Sequence, residues 1–168
     1  MGFLDKLRGR DDSPTPTPDD DPDAVSGAGA GDASNGIDAV EEIGTRRLTA
    51  EEEAALETAR TGYAGHGIDP ADLDSIAAAY DRALEEYVDG DSSAVVEVIG
   101  SAIGDHLVAA GGYRWVVATD PFGTDLAVEP PRRGVPVVTR MLVATRWLGR
   151  ERGWITGVVG HLARVGRS

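Results

Sequence analysis

The sequence predicts an α+β fold: three helices packed on one face of a small two- or three-stranded antiparallel sheet, closed by two short C-terminal helices. Three observations point there. Two amphipathic stretches with clear start signals, Thr49–Tyr63 and Asp69–Tyr87, precede a third, apolar helix that stops at Gly111-Gly112. A β-branched, tryptophan-bearing stretch, RWVVATDPFGTDLAV, follows at residues 114–128. The last segment, TRMLVATRWLGRERGWITGVVGHLARVG, returns to helical spacing on either side of a break near Gly149–Gly153.

Ahead of these elements, residues 1–8 place Phe3, Leu4 and Leu7 on one side of a possible two-turn helix. That piece is too short to be stable alone in water, so it is expected to fray or to make weak contact with a partner or a membrane surface. The Gly2 start does not complete a myristoylation signal, because Lys6 stands where Ser or Thr is required. Residues 9–36, including DDSPTPTPDDDPD and GAGAGDASNG, hold almost nothing to bury and read as a disordered acidic Pro/Gly linker. Their glycines do not make a dinucleotide loop, since no strand precedes them and the helix-opening spacing is absent. A single domain is expected over residues 37–165.

Thr49-x-x-Glu52 is a capping box, in which the threonine accepts from the third amide and the glutamate reaches back. The helix it opens is expected to bury Leu56, Ala59 and Tyr63. Asp69 is read as the next N-cap, with Pro70 at the first helical position and Asp72 at the positive helix end. Leu73, Ile76, Ala77, Tyr80, Leu84 and Tyr87 form its apolar stripe. Asp91 or Ser92 is expected to cap the third helix, which buries Val95, Ile99, Ala102, Ile103, Leu107 and Ala110. Gly100 and Gly104, four apart, leave a shallow groove for another backbone.

In the hairpin, Asp120, Pro121 and Gly123 hold the residues a type I turn prefers at its first, second and fourth positions. That loop sets Thr119 opposite Thr124, Val117 opposite Leu126 and Trp115 opposite Val128 on a face apolar enough to meet the helices. On the other face Ala118 meets Asp125, Val116 meets Ala127 and Arg114 meets Glu129, the last as an ion pair. PPRRG turns the chain, and Val135-Pro-Val-Val138 is expected to add a short third strand at an edge, because Pro136 cannot donate to a ladder. Met141, Leu142, Thr145 and Leu148 are read as the buried line of the fourth helix. Ile155, Val158, Val159 and Leu162 are read as that of the fifth.

Charge narrows the function classes. Residues 1–36 hold 8 acids and 3 bases, residues 37–91 hold 15 and 4, and residues 92–168 hold 6 and 9, for a net charge of −13. Such a chain repels nucleic acid overall. The later arginines (132, 133, 140, 146, 150, 152, 164 and 167) are expected to face water or the acidic helices rather than an external ligand. The absence of cysteine excludes disulfides and thiolate chemistry. No secretory signal is present at the start, and no run of 18 uncharged apolar residues occurs, so a cytoplasmic protein is expected.

Candidate chemistry is sparse. Asp120 is explained by the turn and Asp125 by solvent or an arginine. Asp105 and His106 are adjacent on a helix and point about 100° apart, so they cannot orient each other. His66, His106 and His161 lack metal-ligand spacing, and no Gly-x-Ser-x-Gly elbow occurs. No cofactor is implied. Trp147 and Trp154 are expected in the core. The hairpin face formed by Arg114, Val116, Ala118, Asp125 and Ala127 is the candidate interaction surface.

IGDHLVAAGGYRWVVATDPFGTDLAV followed by VPVVTRMLVATRW resembles a family of mostly actinobacterial proteins with a domain of unknown function. The residues that carry the resemblance are Gly104, Asp105, Leu107, Trp115, Asp120, Gly123, Leu126, Ala127 and Pro136. They match a helix ending in a Gly-Asp/Glu-x-Leu step, a Trp-bearing strand with an Asp-x-x-Gly turn, a Pro-led segment and C-terminal helices, over about residues 70–163. The resemblance implies a small α+β domain and no particular activity. The expected function is a non-catalytic binding or adaptor module for a protein partner. The alternative is a small enzyme using Asp105, Arg114, Asp120 or Asp125 beside the hairpin.

Overall fold

Helix α3 (Ser93–Gly111) is the axis around which the other elements are laid. The structure is a computed structural model and describes residues 43–87, 91–121 and 123–168. The expectations for residues 1–8 and 9–36 lie outside the described residues. Along the described chain follow β1 (Gly44–Arg46), α1 (Ala50–Thr61), a 3-10 turn (Ala64–His66), α2 (Leu73–Glu86), α3, β2 (Arg114–Asp120), β3 (Gly123–Glu129), α4 (Thr139–Leu148) and α5 (Trp154–Arg167). This is a mixed α+β fold, with a three-stranded antiparallel sheet ordered β1-β2-β3.

The capping box forms at α1. Thr49 Oγ1 accepts from the Glu52 amide at 3.3 Å, and the Glu52 carboxylate accepts from the Thr49 amide at 2.8 Å. Arg46 also grips Glu52, at 2.6 and 2.8 Å, so the end of β1 is tied to the first turn of α1. With the Arg46 and Thr49 hydrogen bonds on it, the Glu52 carboxyl titrates at about 2.

Helix α2 begins later than its sequence signals suggest. Asp72 caps it, accepting from the Asp74 amide at 3.0 Å. Asp69 and Pro70 instead open a turn closed by the Asp72 amide on the Asp69 carbonyl at 2.9 Å. Asp-Pro suits both roles, the N-cap with the first helical residue and the first two residues of a turn. The carboxylate of Asp69 is engaged by the Ala71 amide inside that turn, at 2.9 Å.

The third helix is buried on nearly every side rather than on one face. Ile99, Ala102, Ile103 and Leu107 are fully buried, and Val96, Gly100, Ser101, Gly104 and His106 are buried as well. With 19 residues and a mean hydropathy of 1.4 it has the length and composition to cross a membrane, and 61% of that stretch is buried inside the fold. The neighbours of α3 include α1, α2, α4 and α5 as well as the hairpin. The helices therefore wrap a central helix instead of lying three abreast on the sheet. Gly100 makes the α3–α4 approach possible, since a Cβ there would stand 2.9 Å from the Arg140 Cα.

The hairpin has the register its turn residues predict, from Arg114 opposite Glu129 to Asp120 opposite Gly123. Asp120 Oδ1 accepts from the Gly123 amide at 3.0 Å, and the Thr119 and Thr124 hydroxyls meet at 3.0 Å. The third strand is not Val135–Val138, which makes only a single bridge from Val137 to Val128. It is β1, which pairs Gly44–Arg46 with Val117–Thr119 from the other side of β2. Pro136 limits what its own segment can pair, and β1 lies far away in sequence.

Helices α4 and α5 break where expected, across Gly149–Gly153. The exposed line of α4, however, is Met141, Thr145 and Leu148, with Leu148 87% exposed, while Thr139 and Val143 are buried. On α5, Trp154, Ile155, Val159 and Ala163 are buried. The ring of Tyr80 meets Trp147 and Trp154 edge-on, at centroid distances of 5.8 and 5.6 Å, and the Arg146 guanidinium lies 4.6 Å from the Trp154 ring. Trp154 belongs to the core, as expected, while Trp147 is partly buried against it.

Candidate functional site

Gly104 and Asp105, near the end of α3, build one corner of the molecule. A side chain at Gly104 would fall inside the Trp115 ring, so its absence lets the indole lie against the helix. The next residue then receives that indole. Asp105 accepts from Trp115 Nε1 at 2.9 Å, from Tyr63 Oη at 2.8 Å, and from Arg60 Nε and Nη2 at 2.8 and 2.5 Å. Arg60 also holds Glu57 at 2.5 Å, one turn back on its own helix. One carboxylate therefore ties α1, the turn after it, α3 and β2 together.

The electrostatics follow from those contacts. Burial pushes the Asp105 carboxyl up, but hydrogen bonds from Arg60, Trp115 and Tyr63 outweigh it, and the group titrates below its ordinary value. The Asp105 hydrogen bond raises the Arg60 guanidinium, and burial followed by the Asp105 charge raises the Tyr63 hydroxyl. At neutral pH the carboxylate is ionised while its partners keep their protons. Four hydrogen bonds fill the acceptor sites a carboxylate offers, leaving no lone pair to take a proton from a substrate. Asp105 is an anchor.

Clamped in this way, Trp115 floors a groove at the sheet edge. One part, about 720 Å³, is lined by Thr45, Arg46, Arg47, Leu48, Glu53, Arg114, Trp115 and Val116. A second part, about 290 Å³, shares Leu48, Glu53 and Trp115 and adds Leu56, Glu57 and Arg60. Four arginines thus face two glutamates in the lining of a groove on a chain whose net charge is −13. Arg46, Arg60 and Arg114 hold carboxylates of the same chain, whereas Arg47 has no ion-pair partner among the described residues. The groove exists because β1 stops at Arg46, opposite Val117, and turns away into α1. Among the described residues, Arg114–Val116 have no strand partner on that side.

Of the residues singled out in the sequence, Val116, Ala118 and Ala127 lie together on one hairpin face with Asp125 opposite Ala118, while Asp105 and Asp120 stand elsewhere. Arg114 pairs with Glu129 across the hairpin, with its Nε 2.6 Å from the carboxylate. Val116, Ala118 and Ala127 are only 3%, 7% and 0% exposed, and Val138 packs against them. Asp125 is held by Arg140 at 2.6 Å, and Arg140 also faces Glu97 at 3.6 Å. Those three residues rim a recess of about 80 Å³ floored by Gly100, Ser101 and Trp115. His106 points away from Asp105, with Nδ1 2.9 Å from the Pro70 carbonyl. Asp105, Arg114 and Asp125 therefore each serve a different partner, and Asp120 serves its turn. No group of three His, Asp or Glu side chains is placed to hold a metal among the described residues.

Arg60, Tyr63 and Arg47 were not legible as site residues. Tyr63 read as a core residue, and nothing within the local spacing connects Arg60 to Asp105, 45 positions later. The legible trace was Gly104, read as a point of close approach without its visitor. Among known proteins, a family model described as a domain of unknown function, DUF3806, matches residues 72–156, half of the chain. The match includes Gly104, Asp105 and Trp115 and excludes β1 and α1. No curated protein and no solved structure matches the chain.

Proposed function

The chain belongs to the DUF3806 family, whose description names no activity, and we propose that it is a non-catalytic binding module that takes an extended segment of a protein partner. The observation that carries this reading is the unpaired edge of β2 at Arg114–Val116, alongside a groove floored by Trp115. A strand laid there would satisfy open backbone groups, and its alternate side chains would enter the groove. Trp115 is already fixed by Gly104 and Asp105, so little side-chain freedom is lost on binding. Arg47, the arginine of the lining without an ion-pair partner among the described residues, favours a segment that carries an acidic residue between its apolar ones.

Selection of displayed nine-residue peptides against the full chain tests this. Enriched peptides are expected to be acidic and β-branched and to bind Arg47→Glu about tenfold more weakly. No enrichment, enrichment of basic sequences, or indifference to Arg47→Glu would overturn the reading.

A further inference from the structure

We propose that a second cavity, walled by Arg114, Arg132 and Arg133 at the opposite end of the hairpin from its turn, binds a phosphate group. The structure divides the C-terminal arginines into two sets. Arg140, Arg146 and Arg152 hold carboxylates, and Arg150 donates to the Leu84 carbonyl, so these four serve the fold. Arg133, Arg164 and Arg167 make no hydrogen bond or ion pair among the described residues. Arg132 donates only to a main-chain oxygen of Ser168, which brings the end of α5 against the PPRRG loop.

The cavity is about 430 Å³, and its single acid, Glu129, is already engaged by Arg114. Arg114 and Glu129 neutralise each other, so the positive charge left at the cavity is that of Arg133, which has no partner among the described residues, and of Arg132, which is held by Ser168. The loop that presents two of them is braced. Pro130 and Pro131 fix their own φ angles, and Pro131 lies against Gly112. A Cβ at Gly134 would stand 2.8 Å from Pro130, so the turn closes tightly on itself. Planar guanidinium forks match phosphate oxygens two at a time, which makes arginine the suitable cation here. The acidic remainder of the chain repels anions, so binding is weak at high salt and confined to this corner.

The phosphate is free or belongs to a lipid headgroup, and two arms of one experiment separate these. The full chain at low ionic strength is titrated with inorganic phosphate, with amide and guanidinium NMR signals followed. It is also sedimented with phosphatidylcholine vesicles with and without phosphatidic acid. Saturable shifts are expected at Arg114, Arg133 and Gly134. Arg133→Ala should weaken binding about tenfold, Arg133→Lys should weaken it less, and the control Arg82→Ala, on α2, should leave it unchanged. Binding to phosphate but not to vesicles assigns a soluble ligand, and arginine-dependent binding to phosphatidic acid vesicles assigns a headgroup. If neither probe binds, or if Arg133→Ala and Arg82→Ala behave alike, the site is refuted.

Discussion

Asp105 accepts four hydrogen bonds from three side chains, and each donor belongs to a different part of the chain. Replacing it with Asn keeps the shape, removes the charge and leaves the Arg60 guanidinium without its carboxylate. Asp105→Asn is expected to destabilise the fold by about 2–3 kcal/mol at pH 7, measured by urea denaturation. The pH dependence has a definite sign. The folded carboxyl titrates below its ordinary value. Its contribution is therefore complete above the unfolded pKa of about 3.9 and is lost as pH falls through the folded pKa. The stability gap between wild type and Asp105→Asn should close as the pH drops below about 4. A gap that stayed constant to pH 3 would mean that the charge of Asp105 contributes nothing. The sequence showed that Asp105 and His106 diverge, but it could not show which donors Asp105 would meet.

Helix α4 shows where periodicity alone misleads. Met141, Leu142, Thr145 and Leu148 make one helical line, and Thr139, Val143 and Trp147 make another at equal spacing. A short helix with apolar residues on two sides leaves the choice to its neighbours. The approach of Arg140 to Gly100 turns the second line inward. Val143→Ala should accordingly cost about 2 kcal/mol, while Leu148→Gln stays within about 0.5 kcal/mol in the same denaturation assay. The reverse order would restore the sequence-based assignment of faces. The hairpin behaves differently, because its turn residues and its cross-strand pairs lie within a few positions of one another. Its register could be read in full.

Across the whole molecule, the main core cluster runs from α2 through α3, α4 and α5 to Val128 of β3, with Trp115 packed against it. Sheet and helices share that core, so they should unfold together. The indole signal of Trp115, which reports the sheet edge, and far-ultraviolet circular dichroism, which reports the helices, should give coincident urea transitions. Separate midpoints would show that the sheet folds on its own. What the sequence by itself determined is local: the α1 capping box, the hairpin turn and register, the stop after α3 and the break before α5. Each depends on hydrogen bonds and sterics between residues a few positions apart, which any chain with those residues satisfies in the same way. The tertiary structure alone decided that Gly44–Arg46 supplies the third strand, that α4 turns Val143 inward, and that Arg60 and Tyr63 reach Asp105 beneath the groove. Those outcomes depend on which surfaces meet after the chain has crossed itself, and their energies come from partners that no local spacing specifies.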